Sequence, residues 1–286
     1  LLGVCLLAAA GPRGVHAFGQ PPVNLSATTF LDGGPLEPGL YLVEYVQYAD
    51  LVRAKDGNGN PIPGGARVSS LANLNQLFYL SRWKLRGGRL GFDALLPLVG
   101  ASGSGRLGAA PVTANRAGAG DLFLAPALQW NQARLLGRPF AQRIEIGITL
   151  PTGLQDPALA LNPGAGLLTL EPYYAFTWLF ADGWETSWRF FYAAHGENDT
   201  TRVRPGQLFH LNYALSRALG PKFRLGAAGN FLRQTTEDKV GGVRSTGSKE
   251  SAFALGPALG YLGDGLALFL SHVEDLAARN RFRASR

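Results

Sequence analysis

Methionine is absent from this chain of 286 residues, and cysteine occurs once, at Cys5. A single thiol closes no internal disulfide, so a stapled secreted scaffold is excluded. Charge is scarce as well: only 16% of residues are Asp, Glu, Lys or Arg. The net charge of +7 comes from basic residues scattered singly, with no stripe to follow a phosphate backbone. A nucleic-acid partner is therefore not expected. Beyond the first few residues no apolar run is long enough for a membrane-spanning helix, which excludes a helical inner-membrane protein. G-x-S-x-G and H-E-x-x-H are both missing, so the chain carries neither a nucleophile elbow nor a zinc-protease helix.

What is present is glycine (38) and proline (18), spaced so that turns interrupt the chain about every ten residues. That spacing favours many strands over long helices. Residues 1–17, "LLGVCLLAAAGPRGVHA", hold an apolar core, a Gly11-Pro12 break and a Val15-His16-Ala17 cleavage pattern. They read as a secretory signal peptide clipped at its start. Residues 18–39 follow as an irregular, Pro-rich segment suited to lie inside or across the mouth of a larger body, and residues 40–286 form that body.

Strands are expected near 40–49, 70–82, 88–99, 120–131, 141–150, 168–180, 184–194, 206–217, 221–233, 250–262 and 265–274. In "RIEIGITL" (Arg143–Leu150), Ile144, Ile146, Ile148 and Leu150 occupy one face, and Arg143, Glu145 and Thr149 the other. The same one-sided alternation recurs in 90–98, 184–192 and 208–215. A soluble sandwich also alternates. However, its strands are usually about five or six residues long, whereas a tilted strand crossing a bilayer needs about nine to eleven. Long links such as "GENDTTRVRPG" alternate with short ones such as "ADG", as outer loops and periplasmic turns do. The expected fold is therefore all-β: a transmembrane, antiparallel, up-and-down β-barrel of about 12 strands. Eleven strands are legible and the last is missing from the pattern, because only "FRASR" remains after Arg281.

In such a barrel the aliphatic stripes touch lipid and the mixed-charge stripes face the axis. Alternation then assigns Asp93, Arg143, Glu145, Glu185, Arg189, His210, Asn212 and Arg224 to the lumen. Tyr41, Trp83, Trp130, Trp178, Trp184 and Tyr261 lie near strand ends, where aromatic girdles meet the headgroups. Segment 18–39 is expected to narrow the lumen, since a barrel of this size is slim beside a porin.

Several stretches also carry a family likeness. These are "LEPGLYLVEYVQYAD" (36–50), "DGNGNPIPG" (56–64), "GAGDLFLAPALQW" (118–130), "GITLPTG" (147–153), "GQLFHLNYAL" (206–215), "LGAAGNFLRQTTED" (225–238), "SAFALGPALGY" (251–261) and "VEDLAARNR" (273–281). In this order the chain resembles the outer-membrane barrel family associated with the meta-pathway of phenol degradation. The resemblance implies passage of small, aromatic or poorly soluble compounds across a bacterial outer membrane. It supplies no binding residues.

Other chemistry fits less well. "GSGRLG" (Gly103–Gly108) matches G-x-G-x-x-G but no helix follows it. "DGNGN" (Asp56–Asn60) starts like a calcium loop, yet the sixth position is Pro61 and the twelfth Arg67. No cofactor, metal or catalytic residue is expected. The partners expected are outer-membrane lipids, a small-molecule solute and the barrel-assembly machinery, with the chain monomeric. Two rivals stay open: a sealed structural or adhesion barrel with binding outer loops, and a barrel lipase or esterase built on Ser187, Ser216 and His210.

Overall fold

The computed structural model describes residues 23–286, apart from 35, 109, 113, 157, 158 and 160; the signal-peptide region 1–17 lies outside the described residues. Among the described residues there is no helix. Twelve antiparallel strands close into a barrel, with further short strands outside the ring. They are β1 (Gly39–Ala54), β2 (Arg67–Leu85), β3 (Gly88–Ser104), β4 (Leu122–Leu135), β5 (Arg138–Leu150) and β6 (Thr169–Ala181). Then come β7 (Trp184–His195), β8 (Leu208–Leu219), β9 (Phe223–Gln234) and β10 (Ser251–Leu262). β11 is in two pieces (Ala267–Ser271 and Glu274–Arg279), and β12 is Phe282–Ser285. The first ten strands run from 12 to 19 residues, ample for a tilted crossing that needs about nine to eleven.

Sequential neighbours pair around the wall because each short turn returns the chain beside the strand it left. At Arg86-Gly87 and Leu136-Gly137 both turn residues have positive φ. This is the two-residue geometry whose twist matches that of the strands it joins. The turns after β2, β4, β6, β8 and β10 share one rim; the long connections share the other, together with the short Asn280-Arg281 turn. At the long-loop rim, Asp121 ties two connections together by accepting from the backbone N–H of Gly153 (2.8 Å) and of Ala165 (2.7 Å), both in the β5–β6 link. Burial, its largest influence, pushes that carboxyl above its usual value. The "DGNGN" stretch is a turn, in which Asp56 Oδ1 accepts from the N–H of Asn58 (2.9 Å) and Asn60 (2.8 Å).

The closing strand corrects the sequence expectation. "FRAS" pairs with β1, Phe282 opposite Ala54 and Ser285 opposite Asp50. A four-residue strand has too little pattern to be recognised alone; its partner defines it. Its inward residues Phe282 and Ala284 are fully buried with Leu51, Val68 and Leu161. Asp275 braces this hairpin, accepting from the N–H of Ala284 (2.9 Å) and from Arg286 Nη1 (2.8 Å). Closure is confined to the long-loop half: among the described residues, Gly39–Ala49 of β1 form a ladder with β2 only.

The outward face is aliphatic and aromatic, with Leu42, Val46, Leu98, Ile146, Leu225 and Leu255 all exposed. Carboxylates interrupt that band at Glu44, between Leu42 and Val46, and at Glu274, opposite Leu255.

Candidate functional site

The period of two and the strand register together build the inner wall. Because paired residues on neighbouring strands share a face, a continuous row forms across six strands: Gln129, Arg143, Ala175, Arg189, Asn212 and Asn230. All six are buried. One step toward the long loops runs a second row: Glu145, Tyr173, Phe191 and His210.

The first row grips the segment ahead of β1. Val23 and Leu25 bury against Ala193, Leu208, Leu232 and Ala252 in the long-loop half. Asn212 Nδ2 donates to the Asn24 carbonyl (2.7 Å), while its Oδ1 accepts from Ser26 N–H (3.2 Å). Ser26 Oγ donates to Asn230 Oδ1 (2.5 Å). Phe30 packs on Ala214, Ala228 and Ala258, with its ring edge-on to Phe269. Asp32 forms an ion pair with Arg189. Gln129 Nε2 donates to the carbonyls of Gly33 (3.4 Å) and Gly34 (3.3 Å). A Cβ at Gly33 would sit 2.5 Å from the Phe176 backbone, so no larger residue fits there. Near the short-turn rim the Leu36 carbonyl accepts from Asn131 Nδ2 (2.5 Å). The segment thus passes inside the barrel from the long-loop half to the opposite rim before entering β1.

The eight residues assigned to the lumen are all buried, and they fall into four groups. Arg143 Nε lies 2.7 Å from Glu145 Oε1 but out of line for a hydrogen bond, so that contact is Coulombic. Arg143 also donates from Nη2 to Tyr173 Oη (3.3 Å) and rides over the Phe78 ring (5.0 Å to its centroid). Beside it, Gln76 Nε2 donates to Asp93 Oδ2 (2.5 Å). Arg189 and Asn212 hold the segment. Glu185 accepts from Ser187 (2.8 Å) and Ser216 (2.6 Å), and Arg224 Nε donates to Ser216 Oγ (2.8 Å).

His210 pairs through Nε2 with Glu171 Oε2 (3.1 Å) and stacks on Phe191 (centroids 4.3 Å apart, planes 7° apart). Ser216 is six positions along the same face of β8 from His210, roughly 20 Å at strand rise, and Ser187 bonds to Thr177 and Glu185. Ser187, Ser216 and His210 therefore do not assemble into the triad considered above.

Of the six strand-end aromatics, Trp83, Trp130, Trp178, Trp184 and Tyr261 are grouped at the short-turn rim. Trp83 is 78% exposed. Trp130 Nε1 donates to the Arg86 carbonyl (3.1 Å), Trp178 Nε1 to that of Leu135 (3.2 Å), and the Arg217 guanidinium lies over Trp184. Tyr261 meets Phe223. Tyr41 turns inward instead, packing with Leu36, Phe78, Leu80 and Ala127, because the odd-numbered positions of β1 face the axis. Sequence reasoning missed Asp32, Gln76, Gln129, Glu171, Tyr173 and Asn230. Tyr173 and Asn230 sit among apolar or small neighbours that weaken alternation, and Asp32 belongs to no strand.

The family model described as "Putative MetA-pathway of phenol degradation" matches residues 52–286. The chain belongs to this family. Among solved structures, it is similar in fold to the COG4313 outer membrane channel from Pseudomonas putida F1, with a TM-score of 0.76 and 18% sequence identity. That match covers 88% of this chain and 94% of the channel. No curated protein matches it. The likeness is one of fold: an antiparallel β-barrel.

Proposed function

We propose that this protein is an outer-membrane channel passing small, aromatic, phenol-like solutes, with segment 23–38 narrowing the path. The observation that carries the reading is the barrel whose outside is apolar and whose inside is lined by polar rows held to a chain segment by non-covalent contacts. Its fold neighbour is an outer membrane channel, and its family is named for phenol degradation. On this reading the wall sits among outer-membrane lipids, with Trp83, Trp130, Trp178, Trp184 and Tyr261 at the headgroups of one leaflet. The chain arrives by a cleaved signal peptide, is inserted as a monomer by the barrel-assembly machinery, and does no catalysis.

The test is swelling of liposomes containing the purified, heat-modifiable protein in small neutral and aromatic solutes. Faster swelling than protein-free liposomes is expected, and none at all would sink the reading. A second reading, a sealed envelope barrel, draws on the mutual pairing of the inner charges, Arg143 with Glu145 and Arg189 with Asp32. It predicts that absence of flux.

A further inference from the structure

We infer that Arg189, with Arg143 and Tyr173 beside it, is a binding site for an aromatic carboxylate, and that Asp32 occupies it as a tethered stand-in for the solute. The inference rests on the reading of the lumen as a solute path. Arg189 and Asp32 lie 157 positions apart in sequence and meet deep inside the barrel, their side chains 5% and 7% exposed. The guanidinium presents a planar fork able to make two parallel bonds to a carboxylate. Asp32 uses only part of it: the bond runs from Arg189 Nη2 to Asp32 Oδ1, while Asp32 Oδ2 and Arg189 Nε are buried without a hydrogen-bond partner. Asp32 is held by its backbone, which Gly33 wedges against the Phe176 main chain. A carboxylate free of that tether can align with both donors.

The surroundings supply the aromatic half of the specificity. Ala175 stands directly between Arg143 and Arg189 in the row, and its small side chain leaves both guanidiniums facing the Tyr173 ring, at 6.0 and 5.9 Å from its centroid. Phe191 packs on Tyr173 (4.9 Å). A planar ring bearing a carboxylate would set its charge on Arg189 and its face along this wall. Charge balance selects the anion. If Asp32 leaves and nothing anionic replaces it, a buried guanidinium is stranded without a counter-ion, which is strongly unfavourable. A neutral hydrocarbon can share the space but cannot take over that role.

The test is binding of benzoate to the full-length protein in detergent micelles, by calorimetry or ligand-observed NMR, with toluene and acetate as comparison probes. Heat-dependent gel migration verifies that each variant is folded. Asp32→Asn keeps the shape and removes the competing charge, so benzoate affinity should rise by about tenfold, the gain expected when a competitor that masks a site most of the time is removed. Arg189→Gln should abolish benzoate binding, and Arg189→Lys should leave a weaker residue of it, since charge survives without the fork. Toluene should respond to none of these. Unchanged benzoate affinity in Asp32→Asn, or acetate binding as tightly as benzoate, would overturn the proposal. Should Arg189→Gln not fold, Tyr173→Leu takes its place: selective loss of benzoate over acetate supports the site, and equal retention of both refutes it. Because no flux is measured, a protein that binds benzoate in this pattern yet swells no liposome fails as a channel while keeping the site.

Discussion

Glu250 is the residue where pH has the clearest purchase. It stands just ahead of β10 at the long-loop rim, where Arg281 Nη1 donates to its Oε2 (3.1 Å). Burial, the largest influence, pushes its carboxyl up to about 7; Arg281 pulls the other way, and Asp238 and Asp275 push up again. A carboxyl whose folded value lies above its unfolded one, about 4.5 here, keeps a proton in the folded state that the unfolded chain releases. Between those values the folded form is favoured by acid: the cost of ionising Glu250 is absent below about 4.5, grows as pH rises to about 7, and is complete above. Hydrogen exchange at the closing hairpin should therefore speed up as pH is raised from the lower value through the upper one, beyond the intrinsic base-catalysed rise. In Glu250→Gln that excess should vanish. An identical excess in both proteins would assign the pH response elsewhere.

At the scale of the element, β5 shows why register is so strongly determined. Its outward residues Ile144, Ile146 and Ile148 are exposed on the apolar outer face, and its inward Arg143 and Glu145 complete the polar rows. A slip by one residue would exchange the two sets. Ile146→Arg places one charge in the outer band and should destabilise the inserted barrel by roughly 2–4 kcal/mol in lipid vesicle unfolding. Loss of well under 1 kcal/mol would mean that Ile146 does not face hydrocarbon. On β1 the opposite change is informative: Glu44→Leu removes the one carboxylate between Leu42 and Val46 and should stabilise the barrel in the same measurement. β5 was legible in the sequence because the pattern that defines it lies within eight of its own residues, Arg143–Leu150. β11, expected as a single run over 265–274, is broken at His272-Val273, where Val273 exchanges backbone hydrogen bonds with Arg286 instead of continuing the ladder. That interruption belongs to the pairing with β12 and has no local sign.

For the whole molecule, the decisive feature is that a chain segment threads a closed wall. Deleting residues 23–34 removes the contacts to Asn212, Asn230, Arg189 and Gln129 together while sparing every barrel strand. Single-channel conductance should rise severalfold, and the gel shift on heating should persist, because the ladder hydrogen bonds of the wall remain in place. Unchanged conductance in a folded deletion protein would remove the segment from the path.

The sequence by itself determined which face of β3, β5, β7 and β8 is oily, how many strands there are to within one, and where the chain reverses. These are local demands: side chains alternate strictly along a strand, and glycine-bearing turns are written where they occur. Only the tertiary structure decided that "FRAS" closes the ring, that Tyr41 turns inward, and that Asp32 meets Arg189. Those outcomes depend on closure of the wall, which brings distant residues to one level of a shared interior, and no window along the chain contains that information.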